Sequence, residues 1–351
     1  MEMRERNYGI DLLRLILMYM VCIMHILGQG GILNACSGKT GEYKTFWALE
    51  ILAYCAVDSF AIISGYMATE KPRKYEKLVD MWFQAFFYSF IVTLILTIVG
   101  INDSWGKFDI IKCALPVTFG SFWYFTAFFA LYFAIPVLNK FIFTIELNIA
   151  KKAFIILIGL FSVMGVLADP FKSQAGYSAI WLMVLYCIGA LAKKIKLFKS
   201  KRSITLILLW ASCILFTWGV LVFTGIRRLV NYISPTILLS GIIMVILFSR
   251  LRFKGTIIAK LSPLAFGIYL FQNNRVIWNV IIKDKFAFIA SEHVAVGIIY
   301  VFIFAFVIFI SGLVVEAIRN KFAKMLRLSL LSKKVVGFID CALSKLFIFL
   351  K

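Results

Sequence analysis

The first apolar stretch of the chain contains charged and titratable residues where apolar residues are expected. Residues 8–28 read YGIDLLRLILMYMVCIMHILG, about the ~20 residues that an α-helix needs to cross a bilayer. Asp11, Arg14 and His25 lie inside it. Because such groups are costly in hydrocarbon, they are candidates for function.

The spacing of these residues places them on one side of the helix. Arg14 and His25 are 11 positions apart, which at ~100° per residue is three turns and roughly 20°. The same spacing separates them by roughly 16 Å along the axis. Asp11 precedes Arg14 by three positions and shares that face. Alternatives without chemistry are that Arg14 snorkels and pairs with Asp11, and that His25 caps the outer end of the helix.

Composition extends the membrane argument to the whole chain. The 351 residues are 62% hydrophobic, with a mean hydropathy of +0.93, whereas a soluble domain has roughly 45–50% apolar residues. Long apolar runs recur to the end of the chain, so we predict an all-α, polytopic membrane protein. The first span has no cleavage site after a short apolar core and is expected to be retained. Strands of a β-barrel would alternate instead of running apolar for ~20 residues.

The apolar runs predict about ten transmembrane helices, with both termini in the cytoplasm. The predicted spans are residues 8–28, 45–67, 78–100, 121–140, 152–168, 176–193, 203–224, 233–250, 256–275 and 294–317. Basic residues are enriched in the segments on the side of the N-terminus, which sets this orientation. The same bias explains the net charge of +21 better than binding of nucleic acid would.

These spans form one predicted membrane domain, residues 1–327. Residues 328–351 form a basic tail, which we predict to be an amphipathic helix in the cytoplasmic-side interface with the membrane lipids. An eleventh span is the alternative. The seven cysteines contain no CxxC pair, so no metal site is predicted. Cys36 and Cys113 fall in loops of the same predicted side and could pair, although free thiols are favoured.

The second predicted span carries a carboxylate and a small-residue motif. Asp58 lies among apolar residues, and a buried carboxylate needs a partner; Arg14 and His25 are the natural candidates. Ser64-Gly65-Tyr66 follows near the cytoplasmic end, where glycine lets a helix or a ligand approach closely. Ordinary helix packing is the alternative. Glu50, at the outer end of the span, is expected to face the water boundary.

Two further spans carry polar or aromatic residues at their outer ends. The fourth begins with Trp123 and Tyr124, which an aromatic belt would also explain. The ninth ends in a polar cluster formed by Gln272, Asn273, Asn274 and Arg275. One interpretation of this cluster is a binding site for a hydroxyl-rich ligand near His25. The alternative is that these residues simply face water at the membrane surface.

Taken in order, these segments resemble acyltransferase family 3, the multi-spanning acyltransferases of surface polysaccharides and related glycans. The family's basic residue, ten residues and then histidine is matched from Arg14 to His25. Its FFxxSGY-like segment is matched by FAIISGY at residues 60–66, its WYL…Y…P segment by Trp123, Tyr124, Tyr132 and Pro136, and its GIYL segment by residues 267–270. Family members often carry a histidine soon after GIYL, where this chain has Gln272.

The resemblance implies transfer of an acyl group, most often acetyl, from cytoplasmic acyl-CoA to a hydroxyl of a cell-surface glycan or its lipid-linked precursor. It implies a location in the bacterial cytoplasmic (inner) membrane. His25 would be the general base, with Asp58 orienting it or the donor. Donor binding would fall to Arg14, Asp11, Ser64 and Tyr66. Acceptor binding would fall to Trp123, Tyr124, Tyr269, Gln272, Asn273 and Arg275.

The alternative function is a secondary transporter or flippase. Asp11, Arg14 and Asp58 would then form an intramembrane relay of charge. The sequence shows no inverted repeat and no paired broken helices, which argues against this class. A third class, a scaffolding membrane protein, would leave the buried charges unexplained. Binding of coenzyme A would separate the first two classes.

Overall fold

A computed structural model describes residues 6–38, 40–101 and 106–349 of the protein. These ranges contain helices and connecting segments and no strand. The helices are α1 Tyr8–Met24, α2 Ile32–Ala35, α3 Gly41–Tyr66, α4 Tyr75–Phe86, α5 Thr93–Ile98, α6 Lys107–Ala114, α7 Trp123–Thr144, α8 Leu147–Leu157, α9 Met164–Ala168, α10 Ala179–Lys194, α11 Ser203–Thr224, α12 Pro235–Ser249, α13 Thr256–Leu261, α14 Ala265–Gln272, α15 Arg275–Ile277, α16 Val294–Met325 and α17 Leu328–Phe349.

Within the described ranges, seven helical stretches are long and apolar enough to cross a membrane. They are Tyr8–Ala35, Gly41–Tyr66, Tyr75–Ile98, Trp123–Thr144, Leu147–Ala168, Ser203–Thr224 and Val294–Met325. The other three predicted spans correspond to shorter helical stretches, α10, α12 and Thr256–Gln272. The all-helical prediction is therefore confirmed, while the count of ten spans and the cytoplasmic termini stay predictions.

Helix α3 lies at the centre of the packing, against α1, α10 and α12. Its contact with α10 depends on two glycines. A Cβ added to Gly65 would overlap the carbonyl oxygen of Tyr186, and one added to Gly189 would overlap that of Ile62. The backbones of α3 and α10 therefore touch, and the glycine of the Ser64-Gly65-Tyr66 motif serves helix packing.

Two helices continue into wide π-helical turns where they approach each other. Helix α1 continues as the turn His25–Gln29, and α15 continues as the turn Trp278–Ile282. Backbone hydrogen bonds join the first turn to the segment after the second: Asp284 N donates to Gln29 O at 3.0 Å, and Phe286 N donates to Gly30 O at 2.9 Å. Turns of this kind interrupt the regular helix and are frequent at functional sites.

The basic tail begins with a long helix. Helix α17 packs against α4, where Ser332 Oγ donates to Asp80 Oδ1 at 2.5 Å. Residues 1–5 and 350–351 of the two predicted domains lie outside the described residues. The position of α17 in the membrane interface stays a prediction. All seven cysteines, Cys36 and Cys113 included, are free thiols.

Candidate functional site

A cavity of about 670 Å³ runs between α1, α3, α7 and α14. Helix α1 lines it with a stripe at helical spacing: Arg14, Met18, Val21, His25 and Gly28. Helix α3 lines the facing side with a second stripe: Glu50, Tyr54, Val57 and Phe60. The cavity therefore joins Arg14 to His25, as their shared helix face predicts. We call its two ends the Arg14 end and the His25 end.

The Arg14 end is organised around one carboxylate. Asp11, with a side chain only 5% exposed, accepts hydrogen bonds from Arg14 Nη1 at 2.9 Å, Arg6 Nε at 2.5 Å and Ser262 Oγ at 3.2 Å. The Arg14 and Arg6 side chains are 35% and 48% exposed. The predicted pairing of Asp11 with Arg14 is present. Two guanidiniums against one carboxylate leave this end with a net positive charge.

The His25 end is organised around the histidine ring. Nδ1 of His25 lies 3.1 Å from Gln272 Oε1, and Gln272 Nε2 points to Met18 Sδ at 3.6 Å. Because the amide oxygen is an acceptor, the partner atoms assign the ring hydrogen to Nδ1. In that tautomer, Nε2 is the unprotonated nitrogen. The Trp278 ring contacts the imidazole edge-on, with centroids 5.0 Å apart.

Gln272 lies beside His25, as the sequence predicts, and its role in acceptor binding stays a prediction. It is fully buried and does not line the cavity. Its contacts are with the imidazole and with Met18. Both of these contacts lie behind the cavity surface.

Asp58 lies outside the cavity, although its neighbour Val57 lines it. The carboxylate is fully buried, and Oδ1 accepts a hydrogen bond from Trp181 Nε1 at 3.0 Å. Oδ2 has no partner among the described residues. The expected pairing with Arg14 or His25 is wrong, because α3 turns Asp58 towards α10 and Gln272 occupies Nδ1 of the histidine.

Ser64 and Tyr66 also lie outside the cavity. Ser64 Oγ donates to Phe60 O of its own helix at 3.0 Å, and the Tyr66 hydroxyl lies 3.2 Å from Ser249 Oγ of α12. Both contacts belong to helix packing. The structure does not bring these two residues together with Arg14, and their role in donor binding stays a prediction.

The aromatic and GIYL-like segments meet at the cavity. Trp123, Tyr124, Tyr269 and Asn273 all line it. The backbone N–H of Tyr124, in the first turn of α7, donates to the Tyr269 hydroxyl at 3.1 Å, which supplies a partner for one of the amides that a helix start leaves free. The sequence therefore selects residues that share one site, and their binding of an acceptor stays a prediction.

The residues of the polar cluster after α14 lie in different surroundings. Asn273 faces the cavity, whereas Asn274 caps α15 and donates to Tyr88 O at 2.7 Å. Arg275 forms an ion pair with Asp109 of α6, its side chain 62% exposed, and borders a separate, smaller cavity. The hydrogen bond from Arg275 lowers the pKa of Asp109. The structure therefore separates Arg275 from His25.

Several cavity residues were missed by the sequence analysis. They are Arg6, Tyr54, Tyr177, Tyr232, Ser262 and Trp278. The expectation that Glu50 faces the water boundary is wrong, because Glu50 is only 7% exposed and lines the cavity. Glu50 and Tyr54 are four residues apart on α3, and this spacing was the available signal. Tyr177 and Tyr232 lie in connecting segments before α10 and α12, where no periodic pattern marks them.

Comparison with known families gives one match. A family model described as an acyltransferase domain, of the acyltransferase 3 type, matches residues 7–316. This range includes every residue that lines the cavity except Arg6. The search of curated proteins gives no match, and neither does the search of solved structures. Among the described residues, no group of three or more His, Cys, Asp or Glu side chains is placed to hold a metal ion.

Proposed function

Because the chain belongs to acyltransferase family 3, we propose that this integral membrane protein moves an acyl group, acetyl in the simplest case, from acyl-CoA to a hydroxyl of a cell-surface glycan or its lipid-linked precursor. The observation that carries the proposal is the single cavity joining Arg14 and Arg6 at one end to His25 at the other. Donor and acceptor can meet inside such a cavity without leaving the protein.

The Arg14 end is suited to the donor. Guanidinium groups bind phosphate through paired, charge-assisted hydrogen bonds, and coenzyme A carries several phosphates. Arg14 and His25 are roughly 16 Å apart along the helix axis, which is similar to the reach of an extended pantetheine arm. A phosphate held at Arg14 would therefore place the thioester beside His25.

The His25 end is suited to proton transfer. A neutral imidazole is a competent base near pH 7, and Nε2 is the nitrogen available to the cavity. In the proposed reaction, Nε2 takes the proton of the acceptor hydroxyl while the hydroxyl oxygen attacks the thioester carbonyl. The new C–O bond forms, the C–S bond breaks, and the leaving thiolate takes the proton back from the imidazolium. Attack by Nε2 itself, through an acyl-histidine, is a two-step form of the same transfer.

Gln272 fixes the tautomer that this reaction needs. Its amide oxygen lies 3.1 Å from Nδ1 and can only accept, so the ring cannot use Nδ1 as the base without losing that hydrogen bond. The edge-on Trp278 ring restricts rotation of the imidazole. With the N-terminus in the cytoplasm, the Arg14 end would face acyl-CoA and the His25 end would face the outer surface of the bacterial cytoplasmic membrane.

The transporter alternative receives less support from the same contacts. A relay through Asp11, Arg14 and Asp58 needs these groups along one path. Asp11 and Arg14 are paired in the cavity, but Asp58 is hydrogen-bonded to Trp181 away from it. We therefore place the acyltransferase first.

The test uses the two histidines of the chain. Wild type, His25→Ala and His293→Ala proteins are purified in lipid nanodiscs, and transfer of labelled acetyl from acetyl-CoA to extracted cell-surface glycan is measured. His293 is a matched control, because it is exposed and caps α16 outside the cavity. We expect His25→Ala to lose roughly 100-fold or more of the rate and His293→Ala to retain it. Equal rates for all three proteins would overturn the proposal.

A further inference from the structure

Four aromatic rings form a continuous surface in the cavity, and none of the four belongs to the Arg14 end. We call this surface the ring wall; it consists of Tyr54, Trp123, Tyr177 and Tyr232, all of which line the cavity. Ring centroids are 4.7 Å apart for Tyr54 and Tyr232, and 4.6 Å apart for Trp123 and Tyr177. Tyr177 and Tyr232 are 5.2 Å apart and join the two pairs.

One carboxyl group lies beside the ring wall. Glu50 precedes Tyr54 by one helical turn on α3 and lines the same cavity. The residue is only 7% exposed, yet Oε2 has no hydrogen-bond partner among the described residues. An unpaired buried carboxyl is costly, so its retention in a cavity indicates a ligand that supplies the missing partner.

The same carboxyl is close to the proposed base. A Cβ added to Gly28 would lie 3.6 Å from Glu50 Oε1, and Gly28 is three residues after His25 in the same π-helical turn. Glu50 is therefore about one turn from the histidine, across the cavity. The Arg14 end lies three turns away along α1.

This combination fits a sugar better than a lipid. The C–H faces of a pyranose ring are weakly positive and pack on the negative faces of aromatic rings, while its hydroxyls need polar partners at the ring edge. A carboxyl offers two oxygens to adjacent hydroxyls. An acyl chain would use the rings but would leave the carboxyl of Glu50 unpaired.

We propose that the ring wall and Glu50 form the acceptor subsite for a neutral pyranose, which presents one hydroxyl to His25. The inference rests on the proposed function and adds to it the residues that hold the acceptor sugar and place its hydroxyl beside His25. Tyr177 is 47% exposed, so it marks the side from which the sugar enters.

The test measures binding and transfer separately. Wild type, Glu50→Gln and Tyr177→Leu proteins are titrated calorimetrically with short neutral oligosaccharides of glucose, galactose, mannose and N-acetylglucosamine. The same proteins are assayed for KM of the sugar, KM of acetyl-CoA and hydrolysis of acetyl-CoA without sugar. Tyr177 is chosen because its exposure makes its truncation tolerable to the fold. Glu292→Gln and Tyr300→Leu, outside the cavity, are the matched controls.

We expect at least one sugar to bind wild type. Glu50→Gln and Tyr177→Leu should raise both its dissociation constant and its KM by roughly tenfold, and they should change the KM of acetyl-CoA much less. Unchanged sugar constants in both variants would overturn the subsite. Transfer by wild type to a long-chain alcohol, with no sugar bound or acylated, would overturn it too. Absence of any turnover or binding of acetyl-CoA by wild type would instead refute the proposed function.

Discussion

The two ends of the cavity differ in whether their polar groups have hydrogen-bond partners within the protein. At the Arg14 end, every charged group has a partner: Asp11 receives hydrogen bonds from Arg14, Arg6 and Ser262. At the His25 end, polar groups are held on one side and left open on the other. His25 Nδ1 lies 3.1 Å from Gln272 Oε1, and Glu50 Oε2 is unpaired among the described residues.

This difference separates the binding of the donor from the chemical step. A carboxylate that is fully hydrogen-bonded fixes its arginines and leaves their remaining N–H groups for an anion. A histidine with one oriented nitrogen keeps the other for a proton. The Arg14 end is therefore expected to set the affinity for the donor, and the His25 end is expected to set the rate and the choice of acceptor.

Filling the His25 end with a larger side chain should cause the largest loss of acyl-transfer rate. In Gly28→Leu, the new side chain would occupy the space between His25 and Glu50, whereas the Cβ of Gly28→Ala makes only an ordinary contact at 3.6 Å. Displacing reactants by about 1 Å can cost ~100-fold in rate, so we expect such a loss for leucine and a small loss for alanine. Acetyl-CoA affinity should be unchanged in both. Weakened binding of acetyl-CoA in Gly28→Leu would show that the His25 end also sets the affinity for the donor.

Removing the partner of the histidine should have the next largest effect. In Gln272→Leu, Nδ1–H is left buried without an acceptor, a loss of ~1–3 kcal/mol, and we expect kcat to fall by about tenfold with little change in KM of acetyl-CoA. Gln84→Leu is the control, because Gln84 is a buried glutamine of α4 outside the cavity. If both variants reduce kcat alike, Gln272 acts through stability and not through His25.

Removing the ring that rests on the histidine should have a smaller effect. The edge-on contact of Trp278 is worth about 0.5–1.5 kcal/mol, so Trp278→Leu should lower kcat by about threefold. Trp210→Leu, on α11 outside the cavity, is the comparison. A loss as large as that of Gln272→Leu would show that Trp278 contacts substrate directly.

Arg275→Ala should leave the activity unchanged, since its partner is Asp109 and not the cavity. The pair lowers the pKa of Asp109 below its ordinary value near 3.8, and a lowered acid pKa stabilises the fold above that ordinary value. The stabilisation is lost as the pH falls through the lowered pKa. Thermal unfolding should thus show a small difference between wild type and variant at neutral pH, and none in strong acid. An increased KM for the sugar acceptor in this variant would show instead that Arg275 contributes to acceptor binding.

The sequence predicted the features that depend on helical period. Apolar length predicted the helices, and the spacing of Arg14 and His25 predicted that one helix face would carry both; the structure shows that this face lines the cavity. Contacts between segments that are far apart in the sequence could not be predicted from helical period. Asp58 was assigned by its chemistry to Arg14 or His25, but the rotation of α3 points it to Trp181. Tyr177 and Tyr232 reach the cavity from connecting segments, whose course follows from packing and not from any local pattern.

The most direct test compares Arg14→Ala with His25→Ala in two measurements on the same protein samples. These are the dissociation constant of acetyl-CoA and the single-turnover rate of acyl transfer at saturating acetyl-CoA. The account predicts that Arg14→Ala weakens donor binding by roughly tenfold or more and largely keeps the rate. His25→Ala should keep the binding and lose the rate. Equal losses of binding and rate in both variants would contradict the division of the cavity into a donor end and a reacting end.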